Sequence, residues 1–372
     1  MIPPTELGAS LEEIDTPALI VDLEAFERNI AKMAEFASEA GISLRPHAKT
    51  HKCPAIALRQ IALGAVGQCV QKVGEAEALV RGGIKDVLVT NEIVGSGKLR
   101  RLAALASEAT IGICFDHPDQ VDAASRAAGE LGVELSALVE IDVGMGRCGV
   151  QPGAAALDLA KRIADAPNLN FRGLQAYHGS AQHFEQISAR KTAIGHAIRA
   201  VAATLEALDG VGLKCAIVGG GGTGTFQLEG RSGVYNELQV GSYIFMDTEY
   251  AQIEGEGGDR FQVFEHSLFV LSTVMSVPAA DRAIVDAGLK SYSAEKGLPW
   301  VHGKGGIEIV AASDEHGKLR VGPTAARLRL GDKVALIPGH CDPTVNLHDW
   351  YVGVRRGRVE ELWPITARGA SR

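Results

Sequence analysis

The sequence predicts an α/β fold: a TIM-type (β/α)8 barrel followed by a C-terminal β-domain that also takes in the N-terminal strand. Three observations predict it. Eight short apolar runs alternate with stretches of helical spacing through the first two thirds of the chain. Polar and glycine residues gather at the C-terminal ends of those runs. After about residue 260 helical periodicity gives way to turn-rich, strand-like segments. Strands alternating with helices imply a parallel sheet, and eight such units imply closure. The 372 residues suit a barrel of roughly 250 residues plus a smaller module. The expected division places the barrel at 23–258 and the β-domain at 1–22 plus 259–372.

The elements follow in order. Thr16–Asp22 reads as a strand that joins the β-domain, and Leu23–Ala40 as a long helix leading into the barrel. The eight barrel runs are Ser43–Lys49, Ala65–Gln71, Asp86–Asn91, Ile111–Asp116, Ser136–Val143, Phe171–His178, Cys215–Gly220 and Glu237–Phe245. Helical spacing appears in Glu75–Gly82, Ser96–Ser107, Pro118–Leu131, Ala154–Ala166 and Phe184–Leu208. The connection between the second and third runs is short, and none with clear helical character follows the seventh. In the β-domain, strands are expected at Phe269–Val277, Arg282–Asp286, Ile307–Ala312, Ala326–Leu330 and Lys333–Pro338.

Composition excludes several classes. A net charge of -8 without basic clusters argues against nucleic acid as a partner. No apolar run approaches the roughly 18 residues of a membrane span, and the acidic N-terminus has no signal-peptide core. The expected location is the cytoplasm. Six cysteines stand far apart with no C-x-x-C pair, which reads as six reduced thiols.

Four motifs carry the candidate chemistry. In R-P-H-A-K-T-H-K, residues 45–52, an extended backbone points Arg45, His47 and Lys49 the same way. Cationic neighbours would lower the pKa of Lys49, and a neutral amine is what condensation with an aldehyde cofactor requires. A basic surface turn is the competing reading, and Lys52 the competing lysine. Four glycines at 219–222, followed by Thr223 and Gly224, let a backbone approach an anion. No Lys-Ser/Thr follows, so this is not a P-loop; at the seventh strand end it suits a barrel phosphate site or a flexible turn. Arg147, in G-M-G-R-C-G, could hold an oxyanion. Tyr177 and His178 end the sixth run, and His183 stands a few residues on, where a general base could sit. Gln71 and Asn91 end the second and third runs. In P-G-H-C-D-P-T-V-N, residues 338–346, His340 and Asp342 are two apart and suit Mn2+, Zn2+ or Mg2+. His348 and Asp349 are alternatives there, and Asp314–Glu315–His316 is a further polar cluster or a loop. The residues alone support a barrel enzyme with a phosphate-bearing ligand.

The chain also resembles the D-threonine aldolase and 3-hydroxy-D-aspartate aldolase group, within the pyridoxal-phosphate (PLP) family that shares the alanine racemase barrel. The resemblance runs in order through D-T-P-A-L-I-V-D-L, R-P-H-A-K-T-H-K, C-V-Q-K-V-G-E-A, V-E-I-D-V-G-M-G-R-C-G-V, Q-A-Y-H-G-S-A-Q-H, G-G-G-T-G, S-G-V-Y-N-E-L-Q-V-G-S-Y, V-D-A-G-L-K, S-D-E-H-G, P-G-H-C-D-P-T and W-P-I-T-A-R-G. It implies that Lys49 bears PLP covalently, that Arg147 contacts the ring oxygen, and that Tyr177 lies near the pyridine nitrogen. Gln71 joins the cofactor-binding set, and Gly221, Gly222 and Thr223 hold the phosphate. It implies His183 as catalytic base and His340 and Asp342 as the metal pair.

The implied activity is a PLP- and divalent-metal-dependent aldolase that cleaves β-hydroxy-D-amino acids, D-threonine or 3-hydroxy-D-aspartate, to glycine and an aldehyde. The nearest rival is a metal-dependent dehydratase of D-serine or 3-hydroxyaspartate, giving a keto acid and ammonia. Such dehydratases carry Cys where Asp342 stands, so H-x-D and His183 both favour the aldolase. A racemase would leave H-x-D without a role. A non-enzymatic PLP carrier is a lone barrel, without the residues that follow it here. Relatives of this architecture often pair as dimers, which makes a homodimer an expected assembly.

Overall fold

Ala18–Asp22 makes the first strand, β1, with Ala18 to Val21 buried on both faces, and the Asp22 side chain turns the chain directly into the first helix, α1, Leu23–Ala40. One Asp22 carboxylate oxygen accepts the backbone N–H groups of Glu24 and Ala25 at 3.0 and 3.1 Å, satisfying two otherwise orphaned donors. Leu23, Phe26, Ile30, Met33 and Ala37 are buried at helical spacing, so one stripe of α1 is apolar throughout. The helix stops at Gly41, whose φ of +64° is left-handed. The computed structural model describes residues 2–372.

Eight parallel strands follow: β2 Ser43–Leu44, β3 Gln68–Val70, β4 Asp86–Val89, β5 Thr110–Phe115, β6 Leu135–Glu140, β7 Leu169–Gln175, β8 Ile217–Gly220 and β9 Glu237–Leu238. They lie in the order β2-β9-β8-β7-β6-β5-β4-β3. A bridge between His47 and Cys69, with the Val66 N–H donating to the Leu44 carbonyl at 2.9 Å, joins the two edges. Between the strands lie α2 Pro54–Ala62, α3 Val73–Arg81, α4 Ser96–Leu105, α5 Pro118–Leu131, α6 Ala154–Asp165, α7 Ile187–Asp209 and the single turn α8 Phe226–Gly230. The first run is shorter as a strand than expected. The strand proper ends at Leu44, although the Arg45 and His47 N–H groups still donate to the Leu238 and Val240 carbonyls at 2.9 Å; Pro46 has no N–H to offer the β3 edge, and Lys49 stands in a turn after the His47 bridge.

Cys69, Leu88, Cys114 and Leu138, from β3 to β6, form a buried apolar cluster. Polar groups are also buried in this unit, and one set of them is paired side chain to side chain, which offsets the cost of removing them from water. Arg45, 5% exposed, donates through Nε to Glu237 at 2.9 Å and through Nη1 to Asp86. Gln239 donates to Glu237 at 3.2 Å, and Gln175 to Gln239 at 2.7 Å.

The second sheet uses β10 Leu268–Ala279, β11 Arg282–Val285, β12 Trp300–Val301, β13 Ile307–Ala312, β14 Gly317–Val321, β15 Lys333–Ile337, β16 Trp350–Arg355 and β17 Arg358–Pro364, with the one-turn helix α9, Cys341–Val345, between β15 and β16. Its order is β13-β14-β11-β10-β1-β16-β17, with β15 pairing β10 and β12. β1 runs antiparallel to β10 (Leu19 opposite Val270) and parallel to β16 (Leu19 opposite Tyr351), so the N-terminal strand does join this sheet. Ile14, Ala18, Ile20, Phe269, Leu271, Ile337, Val352 and Val359 form its core. Ala326–Leu330, expected as a strand, is irregular. β10 and β12 occupy both sides of the neighbouring strand β15, so that strand offers the segment no ladder partner.

The chain forms two compact units: residues 2–31, 50–53 and 242–369 in one, and residues 32–49, 54–241 and 370–372 in the other.

Candidate active site

In the barrel unit the polar residues expected at strand ends stand there. Lys49 follows β2, Gln71 follows β3 and Asn91 follows β4, while Arg147 lies beyond β6, Tyr177 beyond β7 and Gly221–Thr223 beyond β8. The strands are parallel, so all six positions open on the C-terminal face.

Around Lys49, the His47 Nδ1 accepts the Lys49 backbone N–H at 3.3 Å. The His47 Nε2 lies 3.0 Å from the Gln71 amide nitrogen and 3.1 Å from the Thr90 hydroxyl, and Asn91 donates to the Gln71 carbonyl at 3.0 Å. The ends of β2, β3 and β4 are thereby tied together ahead of the lysine. Arg45 does not supply the cationic neighbour that the spacing suggested. Its guanidinium pairs with Asp86 and Glu237, because a buried cation keeps its charge only beside carboxylates. The competing Lys52 is buried, has a φ of +53°, and accepts the Ala367 N–H through its carbonyl in the other unit.

Arg147 and Tyr177 are brought together. The guanidinium carbon stands 5.9 Å from the centre of the tyrosine ring, and Nη2 lies 3.7 Å from a Glu140 carboxylate oxygen. The Gly144–Arg147 loop is held by Asp142, one oxygen of which accepts the N–H groups of Gly144 and Gly146 at 2.9 and 3.0 Å. Gly179 permits the approach of this loop to the one after β7: a Cβ there would lie 2.7 Å from the Met145 methyl.

His183 closes a single turn of 3-10 helix, Ser180–His183. Gln182 beside it fixes that turn to the glycine run. It donates to the Thr225 hydroxyl at 2.7 Å and to the His178 carbonyl at 3.2 Å, and accepts the Gly224 N–H at 3.0 Å. A Cβ on Gly222 or Gly224 would come within 2.5 or 2.3 Å of Gln182, so both glycines are required by close approach. His178 is buried, and burial lowers its pKa, leaving it neutral with its Nδ1 accepting the Ala181 N–H at 3.4 Å.

Thr223 is buried, and its hydroxyl has no hydrogen-bond partner among the described residues. A buried hydroxyl left in this state beside a glycine cradle fits an oxyanion ligand such as a phosphate. Glu229, on α8 below the cradle, accepts the Thr225 hydroxyl at 2.8 Å, while its other oxygen is buried without a hydrogen bond. Burial pushes its carboxyl up to about 8, so it is largely uncharged at neutral pH.

His340 and Asp342 belong to the other unit. The segment is not extended throughout, as the spacing argument assumed: His340 is the N-cap of α9 and Asp342 lies in its first turn. His340 Nδ1 contacts a Glu295 carboxylate oxygen, which leaves Nε2 as the ring's ligating atom. A carboxylate behind an imidazole, with a second carboxylate two residues on, fits a divalent cation. Asp247, fully buried, accepts the Cys341 and Tyr250 N–H groups at 3.0 and 3.1 Å and fixes the turn. The alternative ligands are engaged elsewhere. His348 donates to the Ser291 carbonyl at 2.7 Å, and Asp349 pairs with Arg368 at 2.9 Å. Asp314–Glu315–His316 is the exposed loop between β13 and β14.

Sequence reasoning assigned no role to Gln182, Glu140 or Glu229. Glu140 had a visible signal, a charged residue inside the apolar run Leu135–Ile141; Gln182 and Glu229 had none.

Comparison with known proteins gives the following. The family described as alanine racemase, N-terminal domain, matches residues 21–249, and a serine dehydratase domain matches residues 267–354. The chain is 49% identical to a D-threonine aldolase of an Arthrobacter species over 370 residues, covering 100% of this chain and 97% of that one. It is 48% identical to a 3-hydroxy-D-aspartate aldolase of Paracoccus denitrificans, covering 97% and 94%. The crystal structure of D-threonine aldolase from Filomicrobium marinum superposes with a TM-score of 0.96 at 48% identity, covering 99% and 100%. A D-threo-3-hydroxyaspartate dehydratase of a Delftia species is more distant, at 28% identity over 90% of this chain and 93% of that one.

Proposed function

The chain belongs to the alanine-racemase-like family of D-threonine and 3-hydroxy-D-aspartate aldolases, and from that premise we propose that it cleaves β-hydroxy-D-amino acids to glycine and an aldehyde, using PLP and a divalent metal. The observation that carries this reading is the gathering of Lys49, the Arg147–Tyr177 pair and the partnerless Thr223 hydroxyl at one end of one parallel barrel.

Bound there, PLP supplies a sink for the electron pair of the Cα–Cβ bond, and the metal acidifies the β-hydroxyl. Lys49 holds the cofactor covalently through its amine. Arg147 sets a fixed positive charge against the ring oxygen, and Tyr177 flanks the ring nitrogen. Gln71 steadies the lysine side of the ring through the His47 contact. Gly221, Gly222 and Thr223 receive the phosphate, with the Thr223 hydroxyl as one donor. The neutral Glu229 adds no negative charge behind it. His340 and Asp342 hold the metal. His183 takes the proton of the β-hydroxyl as the carbon–carbon bond opens. Mn2+ suits the imidazole–carboxylate pair, and the cytoplasm suits six free cysteines. A homodimer is the assembly we expect.

Product analysis tests this. The protein is loaded with PLP and Mn2+ and offered D-threonine or 3-hydroxy-D-aspartate, with and without EDTA. Glycine plus acetaldehyde or glyoxylate, lost on chelation, is expected, and the faster substrate names the preference. A keto acid and ammonia would instead make it a dehydratase, the reading that the match over residues 267–354 favours. No turnover of either substrate would return it to a cofactor carrier. His183→Ala is expected to lose most cleavage while keeping the cofactor absorbance.

A further inference from the structure

We propose that Glu295 is a positioning residue for the metal: it holds the His340 imidazole in the tautomer and orientation that present Nε2 to the ion. The proposal rests on the reading of His340 and Asp342 as the metal pair, and it concerns only the unit that contains them. The His340 Nδ1 is in contact with the Glu295 carboxylate. A neutral imidazole ligates a cation through Nε2 only while its proton sits on Nδ1, and a carboxylate that accepts that proton keeps it there. The same hydrogen bond makes Nε2 more basic and stops the ring from turning.

A chance ion pair at the surface would contribute little. Glu295 instead sits in a built turn, Ser293–Gly297, in the connection between β11 and β12. The buried Thr344 hydroxyl accepts the Ser293 N–H at 3.1 Å and donates to the His340 carbonyl at 2.8 Å, so one side chain ties the turn to the residue it serves. Gly339, just before His340, lets the two backbones meet: a Cβ there would lie 2.5 Å from the Gly297 carbonyl oxygen. The turn is also closed on itself. The Gly297 N–H donates to the Ala294 carbonyl at 3.1 Å, and the Glu295 N–H to the Ser293 hydroxyl at 3.4 Å.

The neighbouring cation is engaged elsewhere, since Lys296 pairs with Glu249 at 2.9 Å. The imidazole is largely covered, at 23% exposed, whereas the Glu295 side chain is 53% exposed. Replacing the glutamate therefore removes its charge and its hydrogen bond but little packing, which separates a positioning role from a structural one.

The test is the Mn2+ dissociation constant of the PLP-loaded protein, read from the electron paramagnetic resonance signal of the free ion. Glu295→Ala is expected to weaken binding by about 10–100-fold. Glu295→Gln, which keeps an acceptor for the Nδ1 proton without the charge, should weaken it less. Lys296→Ala, which loosens the same turn but spares the carboxylate, should stay within about twofold of wild type. All of these proteins should melt together when metal-free, as substitutions of exposed side chains do. Tight binding in Glu295→Ala, alongside its loss in His340→Ala, would overturn this proposal and leave the His340–Asp342 reading standing. Equal weakening in Lys296→Ala and Glu295→Ala would also overturn it, because the turn and not the carboxylate would then matter. Binding that survives His340→Ala unchanged, or wild type that binds no Mn2+, would remove the metal pair itself and this proposal with it.

Discussion

Replacing Glu229 by Gln should stabilise the protein at alkaline pH and not at acid pH. Glu229 is fully buried with one oxygen lacking a hydrogen bond, and its carboxyl stands at about 8 against an ordinary 4.5. The folded state therefore keeps a proton that the unfolded chain releases, and stability falls as pH rises from 4.5 towards 8. Near pH 8 that retention costs about 4 kcal/mol, and near pH 5 about 1 kcal/mol. Glutamine carries no such cost and still accepts from Thr225. Its amide nitrogen, however, inherits the partnerless position, at a cost of about 1–3 kcal/mol. The net expectation is a gain of about 1–3 kcal/mol near pH 8, and anything from neutrality to a loss of about 2 kcal/mol near pH 5. For a unit of this size each kcal/mol moves the midpoint by about 2–4 °C. Scanning calorimetry of both proteins at the two pH values reads this directly. An equal difference at both would refute the reasoning, because it would mean that Glu229 titrates like an ordinary carboxylate.

Three further outcomes follow from the geometry. Arg45→Met strands Glu237 as a buried charge and should cost about 3–5 kcal/mol, with Arg45→Met/Glu237→Met costing less than the single change; urea midpoints distinguish them. Gly224→Ala drives a methyl to 2.3 Å from the Gln182 carbonyl oxygen and should raise the PLP dissociation constant at least tenfold by disturbing both the cradle and the His183 turn, read by absorbance titration. Asp342→Ala should abolish metal-dependent turnover while leaving PLP absorbance intact, and loss of the absorbance itself would argue against separate roles for the two units.

The parts legible in the sequence were those with local causes. α1 and α5 match their expected bounds residue for residue, because each has an apolar stripe and marked ends. α5 has His117 as its cap, Pro118 in its first turn and left-handed Gly132 after it. Ala326–Leu330 shows the limit of periodicity: alternation alone does not make a strand without a ladder partner. β16 and β17 were not foreseen individually, since the charged stretch Arg355–Arg358 between them hides a hairpin. In the site, glycines, H-x-D and Lys49 were visible as motifs. The capture of Arg45 by Asp86 and Glu237 was not, because those carboxylates stand 41 and 192 residues away.

The place of β1 in the second sheet also sets a schedule for synthesis. Its partners are β10 and β16, and the latter is translated roughly 330 residues after β1 has left the ribosome. At cellular elongation rates the Ala-Leu-Ile-Val strand waits about 20–60 seconds before its second neighbour exists. Through that interval the barrel strands between them can close on one another, whereas β1 keeps its apolar side chains and at least one edge unpaired. The nascent chain is therefore most exposed to misassembly at its oldest end, and a chaperone that shields this protein would have to grip the first strand made and release it last.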